Sequence, residues 1–263
     1  HLLNQFSMDE HDSHFRVVTT EGNMWDEKNP SKNHLFILDE KLNVTGSVEG
    51  LAKGERIYSA RFMGDKAYMV TFRETDPLFV IDVADPTAPK VLGELKIPGF
   101  SNYLHPIDEN HLIGFGYETV AKKNPTGGEP FILTMGMKVS LFDVTDFENP
   151  KEKDTEIIGG RGTYSPIQYD HKALFQHKER NLYGFPVVTY DESGKDHYVE
   201  YKGSGALVYE ITPEKGIVLK GDLLKAKKEG EQYGEWEKEI QRMLYSKDQL
   251  YTLSMKEINN YSL

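Results

Sequence analysis

The chain has 263 residues, enough for one large core or for an array of packed repeats. Its hydrophobic content of 38% and charged content of 28% are those of a globular protein and exclude an intrinsically disordered chain. The formal net charge is −11, its acidic residues are dispersed and not gathered in a tail, and such an acidic surface repels nucleic acid and anionic lipid. The sequence has no cysteine, which excludes disulfide bonds and a cysteine nucleophile. It also has no apolar run of about 18 residues, so we expect no membrane insertion.

One pattern repeats along the chain: an apolar, strand-like run that ends in an acidic residue. It occurs at 35–39, 78–82, 139–143 and 207–210. Two copies continue into similar turns, 82–90 and 143–151, in which aspartate caps backbone N–H groups and proline stops the strand. Asp39 and Asp82 are 43 residues apart, close to the length of a four-stranded repeat, whereas the later spacings require insertions.

The strands predicted around these runs form successive units. The units are 1–49, 55–98, 100–159, 163–223 and an incomplete one at 240–263. Runs such as 78–81 are apolar at every position, which is typical of strands buried on both faces between stacked sheets. The sequence therefore predicts an all-β protein, a β-propeller or a partial one, with about four to five blades of four antiparallel strands. The one helix candidate, 224–240, is weakened by Gly230 and Gly234.

The long insertions are predicted to emerge at the same end of the blades. They fall at 21–33, 117–137 and 190–204, between the second and third strands of a unit, and at 225–239, between units. Connections in an antiparallel blade alternate between its two ends, and insertions at one end of repeat proteins usually build a binding surface. Two interpretations stay open for the aromatic side chains in these insertions: they bind a ligand, or they pack the loops onto the blades. These residues are Trp25, Tyr117, Phe131, Tyr198, Tyr201 and Trp236.

The chain resembles the bacterial and archaeal secreted β-propeller family described as distantly related to WD40 repeats. The segments 56–65, 76–82, 92–99 and 169–173 carry the resemblance. It implies a propeller fold and a location outside the cell or in its envelope, and it implies no particular activity. Members of the family are longer and carry export signals, so the resemblance implies that this chain is a carboxyl-side portion of such a protein. The Trp-Asp and Gly-His pairs of true WD40 repeats are missing, so WD40 partners are not expected.

A second candidate site involves the first strand of each blade, which lines the central channel of a propeller. The candidates are Tyr103, His105, Tyr169, Asp170 and His171. They could form a site in the channel, or an Asp–His hydrogen bond could instead tie one blade to its neighbour. The sequence contains no His-Glu-x-x-His motif or similar ligand set, and we assign no metal ligand and no catalytic residue.

No cofactor is predicted. The run 9–12 is acidic enough to attract a calcium ion, but it lacks the glycine and the distal glutamate of a calcium-binding loop. The glycine-rich run 159–162 is followed by no predicted helix, so the helix N-terminus that would bind a phosphate is missing.

Three functional classes remain. The first is a non-catalytic binding or scaffold module of the cell envelope or extracellular space, which holds a protein or a glycan on the inserted face. The alternative is a hydrolase or metal-dependent enzyme with its site at the channel mouth, near His105 and His171. The third is a structural array whose open end pairs with a second copy of the chain.

Overall fold

The computed structural model describes residues 1–26, 28–73, 76–128, 130–193 and 198–263. In these residues the chain forms β-strands joined by turns, together with five 3₁₀ helices of three residues each. The 3₁₀ helices are Gln5–Ser7, Pro166–Gln168, His171–Ala173, Lys178–Arg180 and Trp236–Lys238. Among the described residues no helix combines the length and the apolar character that crossing a membrane requires.

The first three sheets have four strands each, and hydrogen-bonded neighbours follow chain order. The first sheet contains β1 (Met8–His11), β2 (His14–Glu21), β3 (Lys32–Leu38) and β4 (Val44–Leu51). The second contains β5 (Arg56–Met63), β6 (Lys66–Phe72), β7 (Asp76–Asp82) and β8 (Lys90–Ile97). The third contains β9 (Phe100–Asp108), β10 (His111–Lys122), β11 (Phe131–Asp143) and β12 (Lys151–Ile158).

The last two sheets depart from this plan. The fourth contains β13 (Phe175–His177), β14 (Leu182–Ser193), β15 (Tyr198–Thr212) and β16 (Gly216–Asp222). A short fifth strand, β17 (Lys225–Ala226), pairs antiparallel with β15 through Gly203 and Ser204. The fifth sheet has three strands, β18 (Arg242–Ser246), β19 (Gln249–Leu253) and β20 (Ile258–Ser262).

The prediction of an all-β chain built from four-stranded antiparallel blades is confirmed.

The chain divides into two compact units. Unit 1 contains residues 1–114, 123–132 and 142–152, and unit 2 contains residues 115–122, 133–141 and 153–263. Their charges differ greatly. Unit 1 has 13 lysines and arginines against 23 aspartates and glutamates, a net charge of −10, whereas unit 2 has 18 against 19, a net charge of −1. The acidic character of the protein therefore belongs almost entirely to unit 1.

Strand β7 shows why the repeated apolar runs are apolar at every position. Its side chains alternate between two hydrophobic clusters: Phe79 and Ile81 pack with residues of the first sheet. Leu78 and Val80 pack on the other side, with Leu104 of the third sheet. A strand buried on both faces can leave no position polar, because a polar group there would lose its contact with water.

The turn that follows each of two repeated runs rests against a glycine of the preceding sheet. A Cβ atom at Gly46 of β4 would overlap the carbonyl oxygen of Pro86, in the turn after β7. A Cβ atom at Gly93 of β8 would likewise overlap the carbonyl oxygen of Phe147 and lie 2.8 Å from that of Glu148. Only glycine permits so close an approach of two backbones, so the repeated turn packs one sheet onto the next.

Unit 2 repeats this arrangement with a side chain in place of one backbone. The carboxylate of Asp154 in β12 accepts a hydrogen bond of 2.7 Å from the backbone N–H of Ile217 in β16. The neighbouring Gly216 has a φ of +74°, a conformation that side chains disfavour, and it brings this N–H to the carboxylate. The turn before β16 is therefore anchored to the third sheet by a charged hydrogen bond.

One local prediction was wrong. Within the predicted unit 163–223 the sequence favours a first strand at 167–175, but this segment forms two 3₁₀ turns, and β13 begins only at Phe175. Ser165 caps the first turn and Pro166 follows it, a combination that favours a helical turn over a strand. The helix candidate 224–240 contains β17 and a single 3₁₀ turn, and Gly230, with a φ of +84°, interrupts it.

Two of the insertions are strand extensions rather than irregular loops. β10 and β11 continue through most of 117–137, and β14 and β15 continue through most of 190–204. Residues 194–197, Glu129 and Glu27 lie within the predicted insertions but outside the described residues. Aromatic side chains in these two insertions therefore project from strands, and the backbone hydrogen bonds of the sheet fix the positions of their Cα atoms.

Candidate functional site

The six aromatic residues singled out in the insertions differ in exposure. Trp25, Phe131, Tyr198 and Trp236 are exposed, whereas Tyr117 is half-buried. Tyr201 differs most from the expectation of a surface residue, because only 5% of it is exposed. Its hydroxyl donates a hydrogen bond of 3.2 Å to Ser204 Oγ, and its ring packs directly beneath Gly234. Tyr201 therefore supports the segment that carries Trp236.

Two channel candidates, Tyr103 and His105, lie in unit 1 on β9. The Tyr103 hydroxyl lies 3.1 Å from His105 Nδ1. Tyr103 is buried, which raises the pKa of its phenol, and Arg61 stacks over its ring at 5.4 Å. The Arg61 guanidinium also donates two hydrogen bonds to the carbonyl oxygen of Leu104 and lies 4.0 Å from the ring centroid of Phe6. In unit 1 this group is a packed aromatic and cationic network.

The other three channel candidates, Tyr169, Asp170 and His171, lie in unit 2 at the two 3₁₀ turns instead of on a strand. Tyr169 is 79% exposed. Asp170 caps the second turn by accepting a hydrogen bond of 3.0 Å from the backbone N–H of Lys172. The turn presents Tyr169 to solvent and directs the Asp170 carboxylate sideways, toward Arg242.

A cavity of about 290 Å³ in unit 2 brings residues from both predicted sites together. We call it the aromatic cavity. Six of the residues that line it bear aromatic or charged groups: Tyr164, Tyr169, Asp170, Trp236, Glu239 and Arg242. Its wall is formed by β14 at 186–188 and by Ser204 and Gly205 of β15, which pair with Val188 and Val187. Trp236, expected on an inserted loop, thus shares one cavity with Tyr169 and Asp170, which were expected in a channel.

The charged groups of the aromatic cavity are paired with one another. Arg242 Nη2 donates to Asp170 Oδ2 at 2.5 Å. The Tyr164 hydroxyl donates to Glu239 Oε2 at 3.3 Å. Burial raises the pKa of Glu239, and burial together with the nearby Glu239 carboxylate raises the pKa of Tyr164. Burial thus makes Glu239 a weaker acid than an ordinary glutamate, although its hydrogen bond from Tyr164 acts in the opposite direction.

The segment that carries Trp236 is held at both ends. In its 3₁₀ turn the backbone N–H of Glu239 donates to the carbonyl oxygen of Trp236 at 3.2 Å. The backbone N–H of Lys256 donates to Glu237 O at 3.2 Å, and the side chains of these two residues form an ion pair. These bonds fix the backbone of the turn while the indole of Trp236 stays 63% exposed. Such a preorganised, exposed aromatic group loses little conformational freedom on binding.

A second cavity, of about 310 Å³, adjoins the first, and we call it the polar cavity. The two share Ser204, Gly205 and Ile240 as lining residues. The polar cavity extends from β17 to the fifth sheet, where Thr252 and Asn259 line it. Its ionisable groups balance. They are the lysines Lys225, Lys228 and Lys238 and the glutamates Glu231, Glu235 and Glu257.

The described residues contain no group of three or more His, Asp or Glu side chains placed to hold a metal ion. In the acidic run 9–12, Asp9 has a different partner. Both of its carboxylate oxygens accept hydrogen bonds from the buried Arg16 guanidinium, at 2.8 and 2.6 Å. The run therefore includes one half of a structural ion pair.

Comparison with known proteins agrees with this architecture. The profile of the family described as "Beta propeller domain" matches residues 1–263. The chain belongs to this β-propeller family. It is similar to an uncharacterised protein of Methanocaldococcus jannaschii, with 38% identity over 268 residues, covering 100% of this chain and 36% of the relative. It is also similar to an uncharacterised protein of Archaeoglobus fulgidus, with 36% identity over 261 residues, covering 99% of this chain and 33% of the relative.

The chain spans about a third of the length of these relatives. Of the residues that line the aromatic cavity, the sequence predicts Trp236, Tyr169 and Asp170 as candidates but not Tyr164, Glu239 and Arg242. Glu239 and Arg242 lie three and six residues after Trp236, so the polar residues that follow this tryptophan are a local signal for them. Nothing local distinguishes Tyr164, because its role depends on a contact made 75 residues away.

Proposed function

We propose that this chain is a non-catalytic binding module whose aromatic cavity holds a glycan. The observation that carries the proposal is that two exposed aromatic side chains, Trp236 and Tyr169, line one cavity with hydrogen-bonding groups. A sugar ring has C–H groups on its faces and hydroxyl groups around its edge. It therefore packs on aromatic side chains while its hydroxyl groups bond to carboxylates, guanidinium groups and hydroxyls.

The size and chemistry of the cavity support a small polar ligand. Its volume of about 290 Å³ lies at the lower end of ligand pockets, which suits a sugar unit better than a folded protein surface. The carboxylate of Asp170 is bonded to Arg242 and that of Glu239 to Tyr164. Each carboxylate keeps further lone pairs beyond this bond, and these can accept hydrogen bonds from sugar hydroxyl groups.

We place this module at the cell envelope or in the extracellular space, where glycans are exposed. This location rests on the resemblance to secreted propellers. Protease treatment of intact cells of the source organism, with a cytoplasmic protein as the control, checks it. Protection of the protein to the same degree as the cytoplasmic control would contradict the location without affecting the binding site.

The test of the binding site compares two exposed tryptophans. Trp236 lines the aromatic cavity, whereas Trp25, which is 78% exposed, belongs to unit 1 and is not among the lining residues. Purified protein is applied to an array of neutral malto-, cello- and chito-oligosaccharides and acidic oligogalacturonates. We expect Trp236→Ala to weaken binding of a neutral series about 30-fold, the effect of losing a central aromatic contact. Trp25→Ala should leave the same binding unchanged.

A matched pair of tyrosines repeats the comparison. Tyr169→Ala should weaken binding of the same series, and Tyr198→Ala should not, since Tyr198 is 71% exposed but lines neither cavity. Mass spectrometry of the bound oligosaccharide after prolonged incubation checks the absence of turnover. Absence of binding to every neutral series, or equal losses in both tryptophan variants, would contradict the glycan site. Shortened oligosaccharides would contradict the non-catalytic role.

A further inference from the structure

We propose that the polar cavity is a second subsite of the same cleft, so that the module recognises a linear, uncharged oligosaccharide of two or more units. This inference rests on the proposed function. The two cavities have three lining residues in common, Ser204, Gly205 and Ile240, so a ligand that fills the aromatic cavity reaches the polar cavity across them. Neither cavity alone exceeds about 310 Å³, and a chain of sugar units spans both.

An unpartnered buried hydroxyl group points to a ligand in the polar cavity. Thr252 in β19 lines this cavity, is only 1% exposed, and its Oγ1 has no hydrogen-bond partner among the described residues. A buried hydroxyl group without a partner costs roughly 1–3 kcal/mol. A sugar hydroxyl in the cavity supplies the partner. Binding then removes the free-energy penalty of the unpaired hydroxyl group, which strengthens the affinity for the ligand.

Other hydroxyl and amide groups face the same space. Ser204 Oγ accepts a hydrogen bond from Tyr201 and keeps its own proton for a ligand acceptor. Asn259 lines the cavity from β20 and donates to the Glu257 carboxylate at 3.4 Å. Groups that both donate and accept match sugar hydroxyls, which do the same. They match less well a phosphate, which only accepts, or an ammonium group, which only donates.

The balance of charge selects an uncharged ligand. Three lysines and three glutamates line the polar cavity, and within it Lys238 pairs with Glu235 at 2.8 Å. The aromatic cavity pairs Arg242 with Asp170. A charged ligand would lose its hydration on entering without gaining a net opposite charge, which makes its binding unfavourable. The net charge of −1 on unit 2 also leaves no long-range attraction for ions.

The experiment measures how affinity depends on the length of the oligosaccharide. The variant Trp25→Phe leaves Trp236 as the remaining tryptophan, because the chain has two. Its fluorescence is followed while chito-, cello- and malto-oligosaccharides of one to four units are added. We expect Thr252→Val to weaken binding of the tetrasaccharide about tenfold and to leave the monosaccharide unchanged. The binding control is Thr212→Val, since Thr212 is buried at the end of β15 and lines neither cavity. Its Oγ1 accepts a hydrogen bond from the backbone N–H of Lys215, so this variant is compared for oligosaccharide binding and not for stability.

Valine has nearly the shape of threonine, and the hydroxyl that it removes at Thr252 has no partner to lose. We therefore expect Thr252→Val to keep the melting temperature of the parent protein. Equal affinity for one and four units, or tetrasaccharide binding unchanged by Thr252→Val, would overturn the second subsite. If Trp236→Ala still weakened binding on the oligosaccharide array in that case, the proposed function would stand. If no neutral series binds the parent protein, both proposals fail.

Discussion

Unit 1 and unit 2 are built from the same kind of antiparallel sheet but differ in how neighbouring sheets meet. In unit 1 the contacts are made by backbone against backbone, at Gly46 and Gly93, and by hydrophobic clusters on both faces of β7. In unit 2 the fourth and fifth sheets share a smaller cluster around Phe175 and Met243, and two cavities lie beside it. Close backbone contact makes a rigid repeat, whereas looser contact leaves space for a ligand.

The charges of the two units fit this division. Unit 1 carries a net charge of −10, which favours solubility and adds electrostatic repulsion to the folded state. Unit 2 is almost neutral, which suits the uncharged ligand that we propose for it. We therefore predict that stability depends mainly on unit 1, and the proposed function places recognition in unit 2. Variants in each unit can test this assignment.

The largest effect on stability is expected at Arg16 in unit 1. Its buried guanidinium bonds to both carboxylate oxygens of Asp9 and donates to the carbonyl oxygen of Gly64 at 2.6 Å. Arg16→Ala removes the buried partner of an ion pair whose aspartate is 31% exposed, and it should lower the free energy of unfolding by about 3 kcal/mol. Urea unfolding followed by circular dichroism measures the loss, and hydrogen exchange locates it in unit 1.

The control for Arg16 is an arginine in unit 2 with a similar partner at the surface. Arg180 pairs with Asp248 at 2.6 Å, but both side chains are exposed. Because exposed ion pairs contribute little, Arg180→Ala should stay within about 0.5 kcal/mol of the parent protein. Equal losses of unfolding free energy in Arg16→Ala and Arg180→Ala would contradict the prediction that stability depends mainly on unit 1.

The second effect concerns the glycines between sheets. Gly93→Ala places a Cβ atom against the carbonyl oxygens of Phe147 and Glu148, which are backbone atoms and can move only with the whole turn. We expect a loss of about 2–3 kcal/mol in the free energy of unfolding. Gly221→Ala in β16 is the matched control, because its Cβ would meet Val208 at an ordinary 3.4 Å. If Gly221→Ala is as unstable as Gly93→Ala, the loss of stability comes from replacing a glycine in a strand and not from the overlap of the Cβ atom with the neighbouring turn.

How far the sequence predicted these features depends on how local they are. The apolar runs at 35–39 and 78–82 and the turns after them are local patterns, and they were sufficient to predict the blades. The 3₁₀ turn at Pro166–Gln168 was missed, because the apolar residues around it suggested a strand more strongly than Ser165 and its proline suggested a turn. The packing role of Gly93 was missed as well, since its neighbours lie in the next sheet.

The candidate site was predicted in fragments. The sequence predicts Trp236 on a binding face and Tyr169 and Asp170 in a channel, because each prediction depends only on the segment that surrounds the residue. The cavity that joins them depends on contacts such as Arg242 to Asp170, which are 72 residues apart in the chain. The sequence cannot predict Thr252 as a binding residue, because the lack of a hydrogen-bond partner for its hydroxyl group depends on the tertiary structure around it.

The smallest expected effect is a pH dependence of stability, caused by one partly buried carboxyl group in each unit. Burial raises the pKa of Glu55 in unit 1 and of Glu239 in unit 2. Glu55 accepts a hydrogen bond from Thr71, whereas Glu239 accepts one from Tyr164 and lines the aromatic cavity. We expect Glu55→Gln and Glu239→Gln to become more stable relative to the parent protein as the pH rises from 4.5 to 7.5. Urea unfolding at several pH values measures the difference.

The sign follows from the direction of the shifts. In the unfolded chain each carboxyl group loses its proton near the ordinary value of 4.5, whereas in the folded protein it keeps the proton to higher pH. Stability from these groups is therefore complete below 4.5 and is lost as the pH rises through the folded pKa, and glutamine avoids the loss. Only Glu239 lines the proposed ligand cavity. If its carboxylate accepts hydrogen bonds from sugar hydroxyl groups, the parent protein should bind chitotetraose more tightly as the pH rises and Glu239 loses its proton. Glu55→Gln should follow the parent, and Glu239→Gln should bind with the same affinity at every pH. A parallel rise in Glu239→Gln would separate this carboxyl group from recognition and place it, like Glu55, among the groups that affect stability alone.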